Sequence, residues 1–143
     1  MDAVPILIVD DDAEITAILA RLLAVSGYVP YIAASLEEAR IYLRDRNFMV
    51  HLVDYMLPDG DGSQLFADVR SQNPAGRLIL MSGRVDLISA MSAMKLGFDA
   101  MVLKPLDLEL VMVEVERVMQ TAVRWKTVLH RLRVLKHDSN TAA

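Results

Sequence analysis

The chain has 143 residues, an apolar fraction of 54% and no cysteine, enough for one domain with a real core and no disulfide or thiolate-metal staple. Zinc-finger and thiol-nucleophile chemistries are thereby excluded. The net charge of −4 is unevenly spread, with ten Lys/Arg against eighteen Asp/Glu before residue 124 and five against one from Arg124 onward; the body at −8 argues against broad nucleic-acid binding, while the tail carries +4.

Met1 to Pro5 carries Asp2 and no basic leader, so it does not read as a signal peptide. Ile6 to Val9 is short, β-branched and followed by Asp10, Asp11 and Asp12, which predicts a buried strand. From Ala13 to Ser26 apolar residues recur at Ile15, Ile18, Leu19, Leu22 and Leu23, the period of a helix, with Gly27 as its stop. Val29 to Ala33 predicts a second strand. Ser35, with Glu38 three residues on, is a capping-box pattern opening a helix to about Asp45. Met49 to Val53 predicts the third strand. Pro58, Gly60 and Gly62 then punctuate a loop before a helix near Ser63 to Ser71, and Asn73-Pro74 turns the chain into a strand from Leu78 to Met81. A helix from Asp86 to Leu96 stops at Gly97. A fifth strand near Ala100 to Leu103 runs into Lys104-Pro105, and a last helix begins at Leu106 or Asp107. No apolar run approaches the length of a membrane span, so the expectation is a soluble, cytoplasmic protein.

Regular alternation of strand and helix predicts an α/β fold, a parallel sheet with helices on both faces. Ligand sites in such sheets lie at the carboxyl ends of the strands, where the strand order reverses. Asp10 to Asp12, Asp54, Ser82 and Lys104 all follow predicted strands. Carboxylates gathered there repel one another, so protons or a cation must compensate them, and oxygen donors alone suit a hard ion such as magnesium. Asp11 and Asp12 have a second reading as caps of the first helix, whereas Asp54 has no helix to cap. Taken singly, Lys104 reads as a solvated loop lysine and Ser82 as a turn former. Together with the carboxylates they supply a nucleophile, a metal clamp, a hydrogen-bond donor and a counter-charge for one phosphoryl group.

The stretches Ile6 to Asp12, Val53 to Gly62, Leu80 to Gly83 and Val102 to Pro105 resemble, in order, the motifs of the response regulator receiver domain of two-component signalling. The likeness covers about residues 4 to 121. It implies a flavodoxin-like five-stranded sheet in the order 2-1-3-4-5 and a receiver domain over residues 1–121; residues 122–143 read as a helical extension with a disordered end from Asp138. It further implies that Asp54 accepts a phosphoryl group from the phosphohistidine of a histidine kinase or phosphotransfer protein. Asp10, Asp11, Asp54 and the Met56 backbone carbonyl would hold Mg2+ or Mn2+. Ser82 matches the switch hydroxyl, Lys104 the lysine that contacts the phosphoryl group, and Pro105 the proline that follows a cis peptide. Where the family usually carries an aromatic switch residue, this chain has Met101, whose flexible thioether is suited to fill the space that Ser82 vacates. Met56 and Arg84 flank the implied path of water to the acyl phosphate. The family signals through its fourth helix, fifth strand and fifth helix, a region that here holds Met91, Met94 and Met101. The chain is then a phosphoacceptor and not a turnover enzyme, either standing alone or as a fragment of a longer regulator. Asp10-x-Asp12, Ser82 and Lys104 are also similar to haloacid-dehalogenase-type phosphatases, but that pattern leaves Asp54 unused.

From Leu108 the apolar positions Val111, Val115, Val118, Ala122, Trp125, Leu129 and Leu132 are spaced alternately by four and three, a heptad seam. A receiver's last helix normally ends near residue 121, and the seam continues past it. The expectation is a homodimer through the helix of residues 108–136, with folding back onto the domain or contact with another partner as the alternatives.

Overall fold

The computed structural model describes residues 3–83, 92 and 94–141. Its strands are β1 (Pro5–Val9), β2 (Val29–Ala33), β3 (Val50–Asp54), β4 (Met56–Leu57), β5 (Gly60–Asp61), β6 (Arg77–Ser82) and β7 (Ala100–Leu103). The helices are α1 (Ala13–Val25), α2 (Leu36–Asp45), α3 (Gln64–Gln72) and α4 (Leu108–Thr141). Five strands form one parallel sheet in the order β2-β1-β3-β6-β7. This is the expected flavodoxin-like order once β4 and β5 are set aside as a separate antiparallel hairpin. The sequence reads that hairpin only as loop, because two-residue strands have no periodicity to detect. The expected helix from Asp86 falls largely outside the described residues, as do Arg84 and Met91; Ser92 and residues 94–96 are helical.

Period-two alternation sorts the strands onto two cores. Ile6, Ile8, Val50, Leu52, Ile79 and Met81 pack against Leu19 and Leu23 of α1 and Val111, Val115 and Val118 of α4. Leu7, Val9, Val53, Leu78 and Leu80 face the other way, against Leu36 and Leu43 of α2 and Leu65 and Val69 of α3. Helices thus cover both faces, and β3 is buried along its whole length.

Side-chain caps set several helix starts. The Asp12 carboxylate accepts the N–H groups of Glu14 and Ile15 and opens α1. At α2 the Ser35 hydroxyl accepts the Glu38 N–H at 3.1 Å, while the Glu38 carboxylate accepts the N–H of Ala34, one residue earlier than a capping box requires. The last helix departs most from expectation. It continues to Thr141, whereas the sequence reading leaves residues 138–143 without structure; once a helix is nucleated, each further residue adds a hydrogen bond at little extra cost. The heptad stripe is also divided. Val111, Val115, Val118 and Ala122 are buried in this chain's own core, and Ala122 is the last buried residue of α4 among those described. Of the rest of the stripe, Leu129 is half-buried beside Pro5 and Met49, while Trp125 and Leu132, with Val128 and Leu135 next to them, are exposed.

Candidate functional site

Parity on the strands brings the chemistry together. Asp10 continues the face of Ile6 and Ile8, Asp54 that of Val50 and Leu52, and Lys104 that of Ala100 and Val102, so all three emerge on the same side at the carboxyl end of the sheet. Asp10 is buried, with one oxygen accepting the Asp12 N–H at 2.9 Å and the other facing the Lys104 ammonium at 2.7 Å. The same ammonium lies 3.3 Å from Asp54. Asp11 is exposed and completes the group: oxygens of Asp10, Asp11 and Asp54 lie within 4.8 Å of one another. Asp12 caps α1 and is not among the carboxylates gathered with Asp54.

Loop geometry fixes Asp54 from its other side. The Tyr55 N–H donates to the Met81 carbonyl at 2.8 Å, and the Gly62 N–H to the Tyr55 carbonyl at 2.7 Å. A Cβ at Gly62 would collide with the Asp54 carbonyl oxygen, so only glycine permits this closure. Met56 opens β4, two residues after Asp54. Ser82, on the opposite parity, is buried at the end of β6 and pairs with Leu103, while Met101 pairs with Leu80 and packs partly buried against the α2/α3 core. The peptide before Pro105 is cis.

The charges are unbalanced, since Asp10, Asp11 and Asp54 carry three negative charges against the one positive charge of Lys104. Burial and then the Asp10 charge push the Asp54 carboxyl above the ordinary carboxylate range, outweighing the pull of Lys104 and of the Met56 N–H. Burial draws the Lys104 ammonium downward, but the hydrogen bond and charge of Asp10, followed by those of Asp54, hold it above its usual value. A hard divalent cation on these oxygens would offset the excess negative charge; the all-oxygen donor set, with exposed Asp11 leaving room for water ligands, fits such an ion. A groove of about 470 Å³ beside Pro5, Met49, Ala75 and Leu129 opens at the amino ends of the strands and contains none of this chemistry.

A family model for the response regulator receiver domain matches residues 6–116. The transcriptional regulatory protein ZraR of Escherichia coli O157:H7 is 32% identical over 108 residues, which are 76% of this chain and 24% of that protein. A CheY-like receiver domain protein from Methanospirillum hungatei JF-1 superposes with a TM-score of 0.80 at 26% identity, covering 86% of this chain and 98% of that one. The beryllofluoride-activated NtrC4 receiver domain dimer superposes at 0.78 and 28% identity, covering 82% and 98%. The chain thus spans about a quarter of the length of ZraR, and 55% of that of the photosynthetic apparatus regulatory protein RegA of Rhodobacter capsulatus. No helix among the described residues is long and apolar enough to cross a membrane.

Proposed function

The chain belongs to the response regulator receiver domain family, and from that premise we propose that Asp54 is its phosphoacceptor, served by Asp10, Asp11 and Lys104. The observation that carries the assignment is the meeting of three carboxylates and one ammonium at the carboxyl end of the sheet. The donor is the phosphohistidine of a histidine kinase or phosphotransfer protein, and the exchange belongs to the cytoplasm, where ATP-fed kinases work. An Asp54 carboxylate oxygen attacks phosphorus, the P–O bond forms, and the P–N bond breaks with its electron pair returning to the imidazole. Lys104 orients the carboxylate and offsets charge on the phosphoryl oxygens, and the Ser82 hydroxyl donates to one of them. Asp10, Asp11, Asp54 and the Met56 carbonyl would hold Mg2+ or Mn2+, which supplies charge neutralisation between carboxylate and phosphoryl oxygens. Ser82 and Met101, on the same parity, carry the change to the surface around β7. The chain is a phosphoacceptor whose only turnover is its own phosphorylation and dephosphorylation.

Incubation with acetyl phosphate and Mg2+ should add one phosphoryl group to the wild-type chain. The Asp54→Asn variant should take none, and Ser82→Ala should still be labelled while losing phosphorylation-dependent binding to its partner. Undiminished labelling of the Asn variant would overturn the assignment, and unchanged partner binding by Ser82→Ala would remove the hydroxyl from the switch.

A second reading concerns assembly. We take the receiver body to end at residue 121, with residues 122–143 as an extension. The exposed row of Trp125, Val128, Leu132 and Leu135 favours a homodimer through the outer half of α4, since the inner half of the seam is spent on this chain's own sheet.

A further inference from the structure

The β4–β5 hairpin stands between the phosphoacceptor and α2 and is held at both ends. At its base lies the close approach of Gly62 to Asp54 and Tyr55. At its tip the two carboxylate oxygens of Asp59 accept the Leu36 N–H at 2.9 Å and the Glu37 N–H at 3.0 Å, across 23 and 22 residues of sequence. Ser35 already satisfies Glu38, so Asp59 supplies the two remaining acceptors for the first turn of α2. Gly60 beside it sits close to both neighbouring helices, since a Cβ there would press on the Leu36 side chain of α2, at 2.9 Å from Cδ1, and on that of Gln64 of α3, at 2.7 Å from Nε2. Asp59 itself is exposed, so its carboxylate is not trapped there by packing. Met56, whose carbonyl the proposed metal shell uses, lies on the segment between the two anchors.

We propose that Asp59 is a positioning residue for the metal site: by fastening the hairpin tip to the start of α2 it presets the Met56 carbonyl for the cation, so that α2 and the metal shell are mechanically joined. The inference rests on the metal reading given above. A carboxylate is suited to the task because its two oxygens can take two adjacent amides at once, and charge-assisted bonds to a helix start are stronger than neutral ones. Groups that orient a metal ligand from behind commonly change metal affinity without entering the reaction.

The test is the Mg2+ dependence of labelling by acetyl phosphate in the full chain, read beside Mg2+ affinity measured by isothermal titration calorimetry without phosphodonor, which should weaken in parallel. Asp59→Ala should raise the half-saturating Mg2+ concentration roughly tenfold while the rate at saturating Mg2+ stays at the wild-type value. Asp59→Asn, which keeps one acceptor oxygen, should fall between the two and guards against a poorly folded alanine variant; far-UV circular dichroism checks both. A merely structural role would lower the labelled fraction at every Mg2+ concentration and leave half-saturation where it was. That result, or half-saturation unchanged in both variants, overturns the proposal. Metal-independent labelling of the wild-type chain would instead remove the metal reading itself, and this proposal with it.

Discussion

His51 is the second residue of β3, buried at 1% exposure, with Nδ1 donating to the Arg77 carbonyl at 2.9 Å. Its Nε2 is buried with no hydrogen-bond partner. Burial lowers the imidazole pKa from 6.5 to about 4, with the Arg77 carbonyl and Asp99 opposing and Arg70 reinforcing the shift. The sign follows from proton counting: below 6.5 the unfolded chain binds a proton that the folded chain refuses until about 4, so stability is unaffected by this residue above 6.5 and declines as pH falls between those values. The full loss is on the order of 3 kcal/mol. Asp54 works in the opposite direction, since its raised pKa makes the folded chain the better proton acceptor. The clean measurement is therefore a difference: urea unfolding at pH 7 and pH 4.5 should show a larger acid loss in wild type than in His51→Leu. Equal losses would contradict the buried neutral ring. At this scale the site was largely legible, because Asp10, Asp54 and Lys104 follow recognisable strands on matching parity. The burial of His51 was not, since a histidine in an apolar run reveals neither its tautomer nor the missing partner of Nε2.

Strands and helices were legible for local reasons, and what joins them was not. Asp99, just before β7, accepts from Arg70 of α3 at 3.1 Å, from Arg77 of β6 at 3.3 Å and from the Leu78 N–H at 2.8 Å. These partners stand between 21 and 29 residues away in sequence, beyond the reach of any periodicity or capping pattern. The Asp59 clamp on α2 lies outside local sequence patterns for the same reason, whereas Ser35, only three residues from its partner Glu38, falls within one. Removing Asp99 would leave the Arg77 guanidinium, only 11% exposed, with the Ala75 and Pro74 carbonyls but without its counter-charge, along with an unpaired strand amide. Asp99→Ala should cost about 2 to 4 kcal/mol in urea unfolding. A loss below about 0.5 kcal/mol, the range of ordinary surface changes, would show that this junction does not hold α3, β6 and β7 together.

For the molecule as a whole, the heptad pattern correctly marks one continuous helix, but it does not reveal that the stripe changes partner at Ala122. Leaving large apolar side chains in water costs roughly 1.5 to 3 kcal/mol apiece relative to burial. Sedimentation of the intact chain should therefore report a dimer that tightens as salt screens the basic residues of the tail, and Trp125→Ser with Leu132→Ser should report a monomer. A monomeric wild-type chain across the concentration range would exclude pairing through this face. The continuity of α4 has one more consequence. At 1.5 Å per residue its 34 residues measure about 51 Å, and the inner half is keyed to the sheet while the outer half projects beyond it. The helix is thus an axle whose two ends share one phase. A single residue inserted between Ala122 and Trp125 would turn the outer row through about 100° against the sheet while leaving both sets of side chains intact, so angle alone, without any change of chemistry, would decide which way the projecting face looks.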